Sequence, residues 1–193
     1  KRGAKVTGID FSKRSIDYAR DFAAGEKLTI TYVHQDYLEF ETEDRFDLVL
    51  MIMCDFCALS PEQRKRMLGK FHKILKPGGS VLLDVYSLSA FAQREETATY
   101  EANLLDGFWS PNRYYGFLNI FKYPAEKVIL DKYTIIESGR TRQVFNWLQY
   151  FSPEDLEREF VAAGFCVTGI YSDVAGSPYD PKASEFAVAA NKE

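Results

Sequence analysis

The sequence predicts an α/β fold: a Rossmann-like, mainly parallel sheet with helices on both faces, an antiparallel C-terminal strand and an inserted antiparallel β subdomain. Three observations carry this expectation. Short apolar runs alternate with helical-period segments through residues 5–86, alternating aromatic runs take over between 87 and 151, and the strand–helix rhythm resumes at 152. The expected organisation is therefore one body, 1–86 with 152–193, carrying an inserted mostly β region at 87–151.

Val6–Ile9 is a short strand-like run, and Ile16, Ala19, Phe22 and Ala23 then recur at helical spacing. Ser12 is placed to cap that helix by accepting an orphan backbone N–H, and Gly25 to stop it in a left-handed conformation. Leu28–His34 is rich in Thr, Ile, Tyr and Val and predicts a second strand. Phe46–Met53 is almost continuously apolar, as in a strand covered on both faces. Ser60-Pro61-Glu62-Gln63 opens a helix with a cap, a proline where no N–H is needed and a capping box, and Met67, Leu68, Phe71, Ile74 and Leu75 form its apolar stripe. Lys76-Pro77-Gly78-Gly79 breaks it, and Val81–Tyr86 is a fourth strand. Such alternation implies right-handed crossovers and parallel pairing.

After a short helix near 89–95, the runs Tyr114–Tyr123, Val128–Glu137 and Arg140–Tyr150 predict antiparallel strands, the last two joined by a hairpin at Ser138-Gly139. Ser152-Pro153 repeats the cap-plus-proline signal, with Leu156, Phe160, Val161 and Ala163 as a stripe and Gly164 as a stop, before strands at Phe165–Asp173 and Glu185–Ala190.

Composition narrows the function. With 24 basic and 28 acidic residues the net charge is −4, and no Lys/Arg cluster offers a footprint for a nucleic-acid backbone or an anionic membrane. No apolar run approaches the ~20 residues that span a bilayer. Three cysteines make no disulfide framework and suggest a reducing compartment, so cytoplasm is expected. Cys54-Asp55-Phe56-Cys57 matches C-x-x-C, but no second ligand pair accompanies it, so neither zinc nor any other metal is expected.

In an open α/β sheet, ligands bind beyond the carboxyl ends of the strands. Asp10 ends the first strand, where a carboxylate can accept both hydroxyls of a ribose, and Asp36 ends the second, where it can accept an adenine amino group beside Tyr37. Each has a plainer alternative, a helix N-terminal acid for Asp10 and a solvated loop acid for Asp36. Parallel pairing of the two strands would put both on one sheet edge.

Gly8-Ile9-Asp10-Phe11-Ser12, Gln35-Asp36-Tyr37, Arg45-Phe46-Asp47-Leu48-Val49 and Leu75-Lys76-Pro77-Gly78-Gly79 resemble, in order and spacing, the successive motifs of class I S-adenosylmethionine-dependent methyltransferases. The resemblance is specific over residues 5–86 and looser over 152–190. It implies S-adenosylmethionine as cofactor and S-adenosylhomocysteine as product. Asp10, Phe11 and Ser12 would hold the ribose and pack on the adenine, Asp36 and Tyr37 would hold the adenine edge, and Met53 and Cys54 would line the sulfonium side. The family's first strand and glycine-rich loop would precede Lys5, and the expectation is that the 193 residues begin inside the fold.

Methyl transfer to a small-molecule nitrogen or oxygen is the expected activity. A nucleotide-dependent oxidoreductase shares the Asp10 logic, and a non-catalytic module on the same fold, binding a partner or dimerising, is the third reading. Between Tyr86 and Phe151 lie 15 of the 29 aromatics. Trp109, Tyr114, Tyr115 and Trp147 are the expected cover of the donor cleft and its small-molecule substrate. Asp55 and Tyr115 are the weak candidates for catalysis, His34 and His72 are expected to be structural and surface residues, and Arg113 and Arg142 surface charges.

Overall fold

The computed structural model describes residues 3–193, in two units, Lys1–Asp44 and Arg45–Glu193. In the first, β1 (Val6–Asp10) leads into α1 (Lys13–Gly25) and then β2 (Ile30–His34). The strands pair in parallel, from Val6 opposite Ile30 to Asp10 opposite His34, so their carboxyl ends share one edge. Ser12 caps α1 by accepting the Ser15 N–H at 3.2 Å, and Ile16 and Ala23 are its buried residues. Gly25 is not the left-handed stop. The helix runs through it and Lys27 takes that conformation (φ 55°), where the Leu28 N–H closes the turn on the Ala23 carbonyl at 2.8 Å.

The second unit contains β3 (Phe46–Met51), a 3-10 turn (Asp55–Ala58), α2 (Pro61–Ile74), β4 (Leu75–Tyr86), α3 (Leu88–Gln93), β5 (Thr97–Ala102), β6 (Tyr114–Tyr123), β7 (Val128–Glu137), β8 (Arg140–Gln149), α4 (Pro153–Ala162), β9 (Phe165–Tyr171) and β10 (Glu185–Lys192). One sheet runs β3-β4-β10-β9, with β3 and β4 parallel and β10 antiparallel to both neighbours. Val81, Leu83, Val85, Phe186 and Val188 are fully buried in it. The expected α/β class, with its antiparallel C-terminal strand, is the fold observed.

The Ser60–Gln63 capping box forms as its sequence requires, each side chain bonded to the other's backbone. Lys76–Gly79 behaves differently from a simple turn: α2 passes directly into β4, and the four residues are a slip in register, Phe46 facing Leu75 while Leu48 faces Ser80. Gly78 sits at φ 72°, and a Cβ on Gly79 would lie 3.0 Å from the Lys76 carbonyl oxygen. β3 is expected to be covered on both faces, yet Leu48 and Leu50, which alternation puts on one face, are half exposed, while Met51 on the other face is buried.

On α4, Leu156 and Phe160 are buried whereas Val161 is exposed, one helical step outside the stripe. His72 is half-buried instead of a surface residue, its ring edge-on to Phe165 at 5.4 Å. Arg64 joins α2 to α4. It is buried, its Nε and Nη2 donate to Glu159 at 2.8–3.0 Å and its Nη1 donates to the Leu59 carbonyl at 2.9 Å.

The second sheet, β5-β6-β7-β8, is wholly antiparallel. Its β7–β8 hairpin turns at Ser138-Gly139, with Gly139 at φ 77°. Strand alternation gives it two faces. The inner face packs Ile120, Ile129 and Leu148 against Phe91 and Tyr150, and Tyr114 and Ile135 against Leu104. Gly116 lies on that face, where an added Cβ would come within 2.5 Å of the Leu104 Cβ. Gly116→Ala is expected to cost about 1–3 kcal/mol through overpacking, several degrees in Tm. An unchanged Tm would show that Leu104 is not held in place.

Candidate active site

In the first unit, the turn that follows β1 is built by Asp10 itself. Its Oδ1 accepts the Ser12 N–H at 2.7 Å, while Oδ2 takes no hydrogen bond among the described residues. Asp36 repeats the device after β2, Oδ1 accepting the Leu38 N–H at 2.8 Å and Oδ2 remaining unengaged. A backbone bond from the Gln35 N–H to the Asp10 carbonyl, at 3.1 Å, ties the two turns together. His34 has the structural role expected of it, its Nε2 2.9 Å from the Phe11 carbonyl oxygen. The Phe11 ring is 72% exposed. Two carboxylates on one sheet edge, each oriented by a backbone N–H and each with a free oxygen, plus an exposed ring directly after Asp10, suit a polyhydroxylated aromatic ligand. A hollow of about 160 Å³ lined by Gly8, Asp10, Ile16 and Tyr32 reaches Asp10 but neither Phe11 nor Asp36. A larger open hollow of about 570 Å³ lies on α4 around Glu154, Arg158 and Val161 and contains none of the candidate residues.

In the second unit, the chain leaving β3 takes two successive left-handed residues, Met53 (φ 72°) and Cys54 (φ 57°). Such non-glycine conformations cost free energy and persist only where something holds them. Here Asp84 does: its buried carboxylate accepts the Cys54 N–H at 2.8 Å and the Met53 N–H at 3.3 Å. Met53 projects to solvent, but the Cys54 side chain is buried, with Sγ 3.7 Å from Glu185 Oε2. Cys54 therefore offers backbone at this strand end and no open side chain. Its thiol is pushed far up by hydrogen bonding to Cys57, by burial and by the acids Asp84 and Glu185. Cys57 accepts the Tyr86 N–H at 3.2 Å. No group of three or more metal-ligating side chains occurs among the described residues. Iodoacetamide at pH 8 should accordingly modify the exposed Cys166 first, and the buried Cys54 and Cys57 only on unfolding. Equal rates at all three would contradict this geometry.

The four aromatic candidates do not come together. Tyr114 is core, packed with Leu104 and Ile135, its hydroxyl donating to the Leu104 carbonyl. Trp109 lies on the inner face, its ring 4.8 Å from Tyr133 and beneath the Arg142 guanidinium. Tyr115 and Trp147 project from the opposite, outer face, because their registers with Ile136 and Leu130 place them out of phase with the inner residues. Arg142 is not a free surface charge, since it donates to the Trp109 carbonyl and lies 4.0 Å from Glu137. Asp55 is exposed at the start of the 3-10 turn.

The strand architecture matches known proteins. Residues 1–79 match the model of a methyltransferase domain. An S-adenosylmethionine-dependent methyltransferase from Clostridium acetobutylicum superposes with a TM-score of 0.75 at 11% identity, over 98% of this chain and 75% of that one. The chain carries the class I methyltransferase fold. The CcbJ methyltransferase from Streptomyces caelestis gives a TM-score of 0.73 at 16% identity, again over 98% of this chain and 75% of the other. The ubiquinone biosynthesis O-methyltransferase of Coxiella burnetii is 34% identical over 109 residues, 54% of this chain. That match spans 45% of the Coxiella protein, so the chain covers less than half the length of this curated relative.

Within this methyltransferase fold, sequence reading missed a polar cluster on the inner face. Arg94, just after α3, pairs with Asp131 of β7. Burial raises the Asp131 carboxyl despite the guanidinium, and raises the neighbouring Tyr133 and Tyr150 phenols. Tyr86, stacked on Tyr150 at 5.4 Å, is pushed up to about 12, chiefly by burial. These phenols are protonated donors at neutral pH. Arg94 Nε and Trp109 Nε1 are buried N–H groups without a partner among the described residues. The available signals were Asp84 and Asp131, single acids interrupting apolar strands. No helix among the described residues is long and apolar enough to cross a membrane.

Proposed function

We propose that the protein is an S-adenosylmethionine-dependent methyltransferase acting on a small-molecule nitrogen or oxygen. The observation that carries the proposal is the paired carboxylates, Asp10 and Asp36, on one edge of the parallel β1/β2 pair, each with one oxygen held by its own turn and one free. That acceptor pair fits the adenosine half of the cofactor: Asp10 Oδ2 accepts from the ribose hydroxyls, Asp36 Oδ2 from the adenine amino group, and Phe11 and Tyr37 supply ring surface. Ser12 keeps the helix start in place. Bound S-adenosylmethionine supplies an electrophilic sulfonium methyl group.

The acceptor belongs to the inner face of the inserted 87–151 region. The unpartnered N–H groups of Arg94 and Trp109 and the protonated Tyr133 fit a substrate oxygen, beside the apolar cluster of Phe91, Ile129 and Tyr150. Tyr115 and Trp147, on the outer face, drop out of the substrate set. The residues' task is alignment of acceptor and methyl group, which can supply most of the acceleration; a free amine acceptor needs no strong base. For an acceptor that must lose a proton, Asp55 is the exposed carboxylate beside the strand end. The free cysteines fit a cytoplasmic setting.

Titration of the full-length protein with S-adenosylhomocysteine and, separately, with NADH tests the proposal. Saturable binding of the first and none of the second is expected. Binding of NADH alone would favour hydride chemistry on the same carboxylates, and binding of neither would remove the enzymatic reading.

A further inference from the structure

We propose that the outer face of the β5-β6-β7-β8 sheet is the interface of a homodimer, in which it packs against the same face of a second copy. The inference is independent of the methyl-transfer reading. Strand alternation puts Tyr100, Tyr115, Phe117, Phe121, Phe145 and Trp147 on this one face, and all six are between 37% and 75% exposed. They lie on β5, β6 and β8 and are bridged across β7 by the buried Leu130: Tyr100 stacks on the directly opposite Phe117 at 5.8 Å, Phe121 and Trp147 flank Leu130, and Phe145 is two residues along from Trp147. Hairpins do use cross-strand aromatics for pairing. Pairing leaves these ring faces in water, however, and the inner face already supplies the sheet's core.

Area and charge select the occupant. At about 200 Å² per aromatic side chain and roughly half exposure, the six rings present about 600 Å² per copy. Two such faces would bury ~1,200 Å², above the ~1,000 Å² that a specific interface needs. Among the residues that alternation assigns to this face, Lys132 is the single charged side chain, and it lies over the Phe145 ring at 5.8 Å. In a chain of net charge −4, the face is thus nearly neutral and has no electrostatic feature to select a different, charged partner. Two copies of one twisted sheet have the same hand and curvature, so they can stack face to face about 10 Å apart with strands roughly 30° from aligned. A two-fold axis through the sheet makes the patch its own complement.

Sedimentation velocity and light scattering on the full-length protein across about 1–100 μM, a range that spans typical dimer affinities, test this. The wild type is expected to run at twice the chain mass. Phe117→Glu and Phe145→Glu, which leave the inner face untouched, should each run as monomers with unchanged circular dichroism. Should either variant fail to fold, hydroxyl-radical footprinting of the wild type on dilution replaces it, with Tyr100 and Phe117 becoming reactive as the mass halves. A wild-type monomer at the highest concentration overturns the proposal, as does a dimer that both folded variants retain. A dimer in which Tyr100 and Phe117 stay reactive, or a monomer in which another segment of the same chain protects them, overturns it as well.

Discussion

Asp10→Asn is expected to weaken S-adenosylhomocysteine binding by more than about 100-fold while leaving the fold intact. Asparagine keeps an oxygen that can accept the Ser12 N–H, so the turn after β1 and the start of α1 survive. What is lost is the charged oxygen facing the ribose. Hydrogen bonds to a charged acceptor contribute about 1.5–3 kcal/mol each, so two ribose hydroxyls amount to about 3–6 kcal/mol, or 100-fold and upward in Kd. Asp10→Ala should match this loss in binding and add a small loss of stability from the vacated turn. Calorimetric titration, with helix content followed by circular dichroism, reads both. An Asp10→Asn protein that binds as tightly as wild type would reduce Asp10 to a helix-start acid, its plainer alternative.

Arg64→Ala should produce the largest loss of stability of any single change argued from this structure. Removing one partner of a buried ion pair costs about 3–5 kcal/mol, since the other charge is left in the interior. The Glu159 side chain is 29% exposed and can regain part of its hydration, which puts the expectation near the low end, about 3 kcal/mol. The Leu59 carbonyl also loses its donor, and the guanidinium leaves its place 5.1 Å from the Phe151 ring centre. For a protein of this size that corresponds to a fall of roughly 6–12 °C in Tm. The Lys76–Asp47 pair offers the contrast: its distance is 2.8 Å, but both side chains are well solvated, and Lys76→Ala should leave Tm nearly unchanged. Thermal unfolding of the two variants side by side decides whether burial, rather than the presence of an ion pair, governs the effect.

Much of this fold is legible in the chain because local rules and tertiary structure agree. Ser12, Ser60 and Ser152 cap the helices they precede, and the three aromatic runs of the insertion become strands at nearly the residues where alternation begins and ends. The misreadings fall where a long-range partner decides. Gly25 has the composition of a stop, but the Leu28–Ala23 bond places the left-handed residue at Lys27. β5, short and wholly exposed, has too little hydrophobic period to reveal itself, and it exists because β6 offers it an edge.

The candidate site divides in the same way. Asp10 and Asp36 are visible because strand ends are predictable and parallel pairing puts them on one edge. Aromatic abundance in the insertion carries no information about sheet face. Register separates Tyr133 from Tyr115 and Trp147, and ring contact with Tyr133 puts Trp109 on the same side as it. Asp84 and Arg94 were invisible as site residues, since their roles depend on backbone and side chains 30 and 37 positions away.

A comparison of two ligands tests whether Asp36 reads an adenine amino group beside a ribose held by Asp10. Relative to S-adenosylhomocysteine, S-inosylhomocysteine carries a carbonyl in place of that amino group, together with a hydrogen on N1, and the carbonyl would face the Asp36 carboxylate with a second acceptor. The wild-type protein should prefer the adenosine ligand by at least about tenfold, the loss of one charged hydrogen bond, and Asp36→Ala should bind the two alike. Equal binding of both ligands by the wild type, or an undiminished preference in Asp36→Ala, would show that Asp36 does not read the amino group.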